Sequence, residues 1–97
     1  MKQLDEANDD LARLEASLPV LLTMDETAGV LRISRSLAYQ LAGDYERSGG
    51  LVGLPVIRFG TCLRVPRWAL IELLRTGRVV NLYPRRAGIR AVRPVTR

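Results

Sequence analysis

Thr23 and Ser34 constrain this chain most, because each opens a helix and the span between them has room for one short helix and a turn. Thr23 is a strong start. Glu26 completes the Thr-x-x-Glu pattern, in which a hydroxyl and a carboxylate each satisfy a backbone amide that the helix leaves unpaired. Leu22, just before, is placed to staple onto Thr27 or the apolar residues after it. The spacing predicts a helix from Met24 to Leu31 with Met24, Thr27, Ala28 and Leu31 inward. Ile33 interrupts the period, and Ser34 then offers a second N-cap after a turn of about three residues. From Arg35 to about Ala42, the apolar Leu37, Ala38 and Leu41 form the expected buried side, which leaves Arg35, Ser36, Tyr39 and Gln40 outward.

The flanking segments read as follows. Leu4, Ala7, Leu11, Leu14 and Leu18 alternate at spacings of three and four, predicting a helix from about Gln3 to Ser17 that Pro19 ends. Its apolar stripe either lies on the domain or forms a dimer seam. Asp44 to Gly53, with Gly49, Gly50 and Gly53, reads as a loop. Val56 to Phe59 and Cys62 to Val65 alternate as two short strands around a Gly60-Thr61 turn, with Arg58 and Arg64 expected on one exposed face. Pro66 is suited to the first position of a further helix that Gly77 terminates, with Trp68 as its largest core anchor. Cys62 reads most simply as a small buried hydrophobe. Beyond Gly77 the pattern decays, although Val79, Val80, Leu82 and Tyr83 could still dock as a strand.

A chain of 97 residues supports one core, and 47% hydrophobic residues suffice to build it. The expected fold is mainly α with a small β-hairpin. It divides into an acidic N-terminal helix over residues 1–19, a central domain over 20–77 and an arginine-rich C-terminal tail over 78–97. No apolar run approaches the roughly 20 residues that cross a bilayer. The N-terminus is acidic where a secretory signal is basic and then apolar. A cytoplasmic protein is expected, with no membrane partner. Histidine is absent and Cys62 is the single cysteine, which excludes an intrachain disulfide, a zinc site and triads of the Ser-His-Asp or Cys-His type. The acidic residues cluster near the N-terminus and at helix starts, and no glycine-rich phosphate loop is present. The chain therefore reads as non-enzymatic, without metal or cofactor.

Charge is unevenly distributed. Residues 1–19 set Lys2 and Arg13 against Asp5, Glu6, Asp9, Asp10 and Glu15, while residues 75–97 carry seven arginines and no acid. Fourteen of the fifteen basic residues are arginine, whose planar fork matches phosphate and the guanine edge better than lysine does. Double-stranded DNA is the favoured partner, with a merely solubilising tail as the alternative on charge alone.

The run Leu22-Thr23-Met24-Asp25-Glu26-Thr27-Ala28-Gly29-Val30-Leu31, followed by Ile33-Ser34-Arg35-Ser36-Leu37-Ala38-Tyr39, resembles the opening of excisionase-like and MerR-like winged-helix domains. Leu54-Pro55-Val56-Ile57-Arg58-Phe59-Gly60, Leu63-Arg64-Val65 and the helix of Trp68 continue the resemblance over about residues 20–75. It implies a winged helix-turn-helix that bends DNA at an attachment site and assists an integrase. It further implies that Ser34 caps the recognition helix, that Arg35, Ser36, Tyr39 and Gln40 face the major groove, and that Arg58, Gly60, Thr61 and Arg64 form the wing and its flanks. Two departures stand out. The stretch from Gly43 to Gly53 is long, and the wing tip Gly60-Thr61-Cys62 lacks the basic residues commoner there. Arg85, Arg86, Arg90 and Arg93 of the tail are then expected to supply phosphate contacts.

Duller readings stand beside these. Tyr39 could simply cover the core, Gln40 could be a solvated helix residue, and Arg58 and Arg64 could pair with Glu72 or Glu46. A small MerR-like transcriptional regulator shares the same architecture, and an antitoxin or protein-interaction module is the reading from another class. With one short reading helix, several copies on repeated sites or an accompanying integrase are expected. The acidic first segment is also expected to compete with DNA for the tail, so that deleting residues 1–18 tightens binding.

Overall fold

Helix α1 (Lys2–Ser17) opens a computed structural model that describes residues 2–83. The half-buried Leu11, Leu14 and Leu18 face the body, where α1 packs on the last helix, α4 (Arg67–Thr76). Two bonds from Arg67 fasten this junction: Nη1 donates to the Leu18 carbonyl and the amide to that of Val20, both at 2.8 Å. Next comes the short strand β1 (Leu21–Leu22), which the sequence did not signal because two residues carry no period.

Helix α2 (Met24–Leu31) starts as expected. The Glu26 amide donates to Thr23 Oγ1 at 3.1 Å and the Thr23 amide to Glu26 Oε1 at 2.8 Å. The fully buried Thr27 is satisfied by donating its hydroxyl to the Thr23 carbonyl. At its other end, the Ile33 amide reaches back to the Ala28 carbonyl at 3.0 Å and the Arg32 amide to that of Gly29 at 3.3 Å. This Schellman closure places Arg32 in the left-handed region, with φ 59°.

Helix α3 (Arg35–Arg47) follows at once, capped by Ser34, whose Oγ accepts from the Leu37 amide at 3.0 Å. It runs a turn beyond the expected end near Ala42, through what the glycines suggested was loop. Its buried line is Ala38, Ala42 and Tyr45, and Tyr45 supplies the apolar anchor that carries the helix past Gly43. Leu37 lies off this line and is exposed, contrary to expectation. The chain returns through Gly53, whose φ of +100° and closeness to the Leu41 carbonyl leave no space for a Cβ.

Strands β2 (Ile57–Phe59) and β3 (Cys62–Pro66) form the expected hairpin, and β1 pairs with the far edge of β3. The result is a small α/β protein of four helices and a three-stranded antiparallel sheet in the order β1-β3-β2 among the described residues. The register sets Arg58 opposite Leu63 and Arg64 opposite Ile57. Opposed residues share a face and neighbours alternate, so Arg58 and Arg64 point to opposite faces instead of sharing one.

Three further expectations are corrected. Pro66 is the residue before α4, not its first. Trp68 is 56% exposed because Ala69, Leu70 and Ile71 take the inward arc of α4; the largest fully buried side chain is Tyr45. Cys62 is exposed beside the hairpin turn, not buried. After Gly77, the segment up to Tyr83 docks without joining the sheet. The Tyr45 hydroxyl donates to the Val80 carbonyl at 2.8 Å and accepts from the Leu82 amide at 2.7 Å, and Tyr83 stacks on Tyr45 with ring centroids 5.7 Å apart. Burial of the Tyr45 ring pushes its phenol above the usual range despite the Leu82 amide. No helix among the described residues is long and apolar enough to cross a membrane.

Candidate nucleic-acid interface

The two caps and the Schellman closure fix how α3 leaves the body. Ile33 packs against the core, Ser34 turns the chain, and the first two turns of α3 project with one side free. Arg35, Ser36, Tyr39 and Gln40 are all exposed there, together on the outer side, while Ala38 and Ala42 are buried beneath them. Tyr39 keeps 44% of its surface, which fits an outward ring and equally one that covers the core with its hydroxyl in water.

Arg35 is not a free cation. Its Nε lies 3.0 Å from Oδ1 of Asp25 in the first turn of α2, and its guanidinium carbon lies 5.7 Å from the centroid of the Tyr39 ring. Sequence spacing alone does not bring Asp25 to Arg35; it is a tertiary contact between the two helix starts.

The hairpin carries the other expected residues. Phe59 and Cys62 flank a two-residue turn of Gly60 and Thr61, with Gly60 at φ +64° as a tight hairpin requires, and all four are exposed. Arg58 is committed elsewhere. Its Nε and Nη2 both bond the Glu46 carboxylate at 2.8 Å, tying β2 to the last turns of α3. That two-bonded guanidinium holds the Glu46 carboxyl below the usual carboxylate range and raises Arg58 in turn. Of the two alternatives weighed from sequence, Arg58 therefore pairs with Glu46, and Glu72 pairs with Arg75. Arg64 is half-buried and donates through Nη1 to the Leu63 carbonyl at 2.9 Å. Arg85, Arg86, Arg90 and Arg93 lie outside the described residues.

Arg32 was missed by sequence reasoning. It sits in the turn between α2 and α3, is exposed, and has no carboxylate partner among the described residues. Only its left-handed backbone singles it out, and nothing in the one-dimensional pattern shows that. A second feature missed from sequence is apolar: Val20, Leu21 and Trp68 are exposed on two segments that the Arg67 amide bond to Val20 and the Leu21–Pro66 pairing join.

The sequence adds a whole-chain fact. Residues 1–83 hold ten basic and ten acidic side chains, so the entire net charge of +5 belongs to the five arginines of residues 84–97. No protein-family model, curated protein or solved structure matches the chain, and the site is therefore interpreted from its own residues.

Proposed function

We propose that this chain is a sequence-specific binder of double-stranded DNA, built as a winged helix-turn-helix in which α3 enters the major groove and the β2–β3 hairpin is the wing. The observation that carries this reading is the joint exposure of Arg35, Ser36, Tyr39 and Gln40 on the first turns of a helix whose other side is buried. The major groove admits one helix, whose N-terminal turns meet base edges. Those four side chains offer a guanidinium fork, two hydroxyls and an amide, which are the groups that hydrogen-bond bases.

Within this class we read the chain as an excisionase that bends an attachment site and directs an integrase toward excision. The resemblance of residues 20–75 supports this, and the exposed Val20, Leu21 and Trp68 offer an apolar surface to a protein partner. A footprint over an attachment site adjoining an integrase gene is the expected outcome; a footprint confined to a promoter would make it a regulator instead.

DNA binding itself is tested by fluorescence anisotropy of the full chain on labelled duplexes. With about five arginines neutralising phosphates, log affinity is expected to fall with log salt at a slope of about −4 to −5. Arg35→Ala is expected to cut the preference for a selected duplex over a random one by roughly tenfold, with a smaller loss of about twofold on random duplex from the removed charge. Absence of binding at low salt would contradict the reading, and equal losses on both duplexes would remove α3 as its reader.

A further inference from the structure

The Asp25–Arg35 pair has little reason to exist for stability. Its side chains are 67% and 65% exposed for Arg35 and Asp25, and ion pairs that open to water contribute little to folding. A carboxylate beside a surface meant for DNA also repels phosphate. What the pair does is geometric. The guanidinium presents its N–H groups in one rigid plane. The Asp25 carboxylate sits against Nε on one side, and the Tyr39 ring lies near the guanidinium carbon. Neither terminal nitrogen takes part in the contact with Asp25, so both remain donors for a ligand.

In the major groove only guanine offers two acceptors, O6 and N7, at the spacing of such a fork; adenine and cytosine place a donor there and thymine a methyl group. We infer that Arg35 reads a guanine, and that Asp25 is the positioning residue that holds its guanidinium for that purpose. This inference rests on α3 being the reading helix. Held in this way, Arg35 loses less freedom on binding than an arginine free in solvent. The cost is a weaker grip on every sequence, because one negative charge remains near the phosphates. Asp25 thus exchanges general affinity for discrimination.

The test starts by selecting, with the full chain, from a pool of duplexes carrying a randomised core. The best duplex is then compared with a copy in which the most constrained guanine is replaced by 7-deazaguanine, which lacks the N7 acceptor. The wild-type chain is expected to select a motif with one invariant guanine and to lose roughly tenfold in affinity on the 7-deaza duplex. Asp25→Asn is expected to bind the random pool about twofold more tightly, since it removes a charge repelled by phosphate. It is also expected to lose most of the 7-deaza penalty. Arg35→Lys keeps the charge without the fork and is expected to lose that penalty while retaining affinity for random duplex; thermal unfolding monitored by circular dichroism verifies that both variants fold. A motif without an invariant guanine overturns the inference while leaving DNA binding intact. So does an Asp25→Asn chain that keeps the full 7-deaza penalty, since Asp25 would then only offset the Arg35 charge. A chain that selects no duplex overturns both this inference and the reading of α3.

Discussion

At Arg32 a left-handed backbone and an exposed cation meet in one residue. Its left-handed conformation closes α2, a place where glycine is usual and a side chain costs on the order of 1 kcal/mol. The side chain that carries this cost has no carboxylate partner among the described residues and is exposed in the turn before α3, where a phosphate contact would use it. Arg32→Gly is expected to raise stability by about 1 kcal/mol, somewhat offset by glycine's greater freedom in the unfolded chain. It is also expected to weaken binding to selected and random duplexes alike. Denaturant melts paired with anisotropy check both halves, and a variant that is less stable, or that binds as before, would show Arg32 to be an ordinary surface residue. At this scale the sequence was partly legible. Ser34, Arg35, Ser36, Tyr39 and Gln40 were readable because helix period and capping fix which side chains face out. Asp25, Arg32 and the Arg58–Glu46 pair were not, because each depends on where two elements meet in space or on one residue's φ.

Among the elements, α2 was legible to its last residue because both ends are marked in sequence: the Thr23 capping box at one, the broken period at Ile33 and the Ser34 cap at the other. The end of α3 was not. Gly49, Gly50 and Gly53 suggested a loop from Asp44, but Tyr45 buries its ring there and holds the helix together. β1 escaped notice because its two residues gain strand geometry only from β3. Trp68 was misplaced by size: a large aromatic was expected inside, although the smaller Ala69 and Leu70 fill that space. Tyr45 also makes the docking of the segment before residue 84 testable. Its hydroxyl bridges the Val80 carbonyl and the Leu82 amide, so Tyr45→Phe leaves both without that partner. The expected loss is about 1–2 kcal/mol, with faster amide exchange at Leu82. Unchanged exchange there would mean that packing of Val79 and Leu82 alone holds the segment.

Taken whole, the molecule joins an electrically balanced body over residues 1–83 to a short arginine-rich end that carries all the net charge. On the proposed reading, general affinity for DNA would belong to that end and choice of sequence to the body. Removing residues 84–97 is expected to flatten the salt dependence and weaken binding to every duplex, with sequence preference largely kept. Loss of preference with unchanged affinity would invert that assignment. The acidic helix needs a gentler test than deletion. Because α1 packs on α4 and Arg67 bonds the Leu18 carbonyl, cutting residues 1–18 would uncover part of the body as well as remove charge. Replacing Asp9 and Asp10 with asparagine removes exposed charge without uncovering the body, at the loss of the exposed Asp10–Arg13 pair, and is expected to tighten binding modestly. The most direct measurement of the central claim is an amide chemical-shift titration of the full chain with a selected duplex. The expected result is a set of perturbed amides running from Arg32 through Gln40, extending to Gly60 and Thr61 at the hairpin turn. Perturbations confined to Val20, Leu21 and Trp68, with α3 silent, would contradict it.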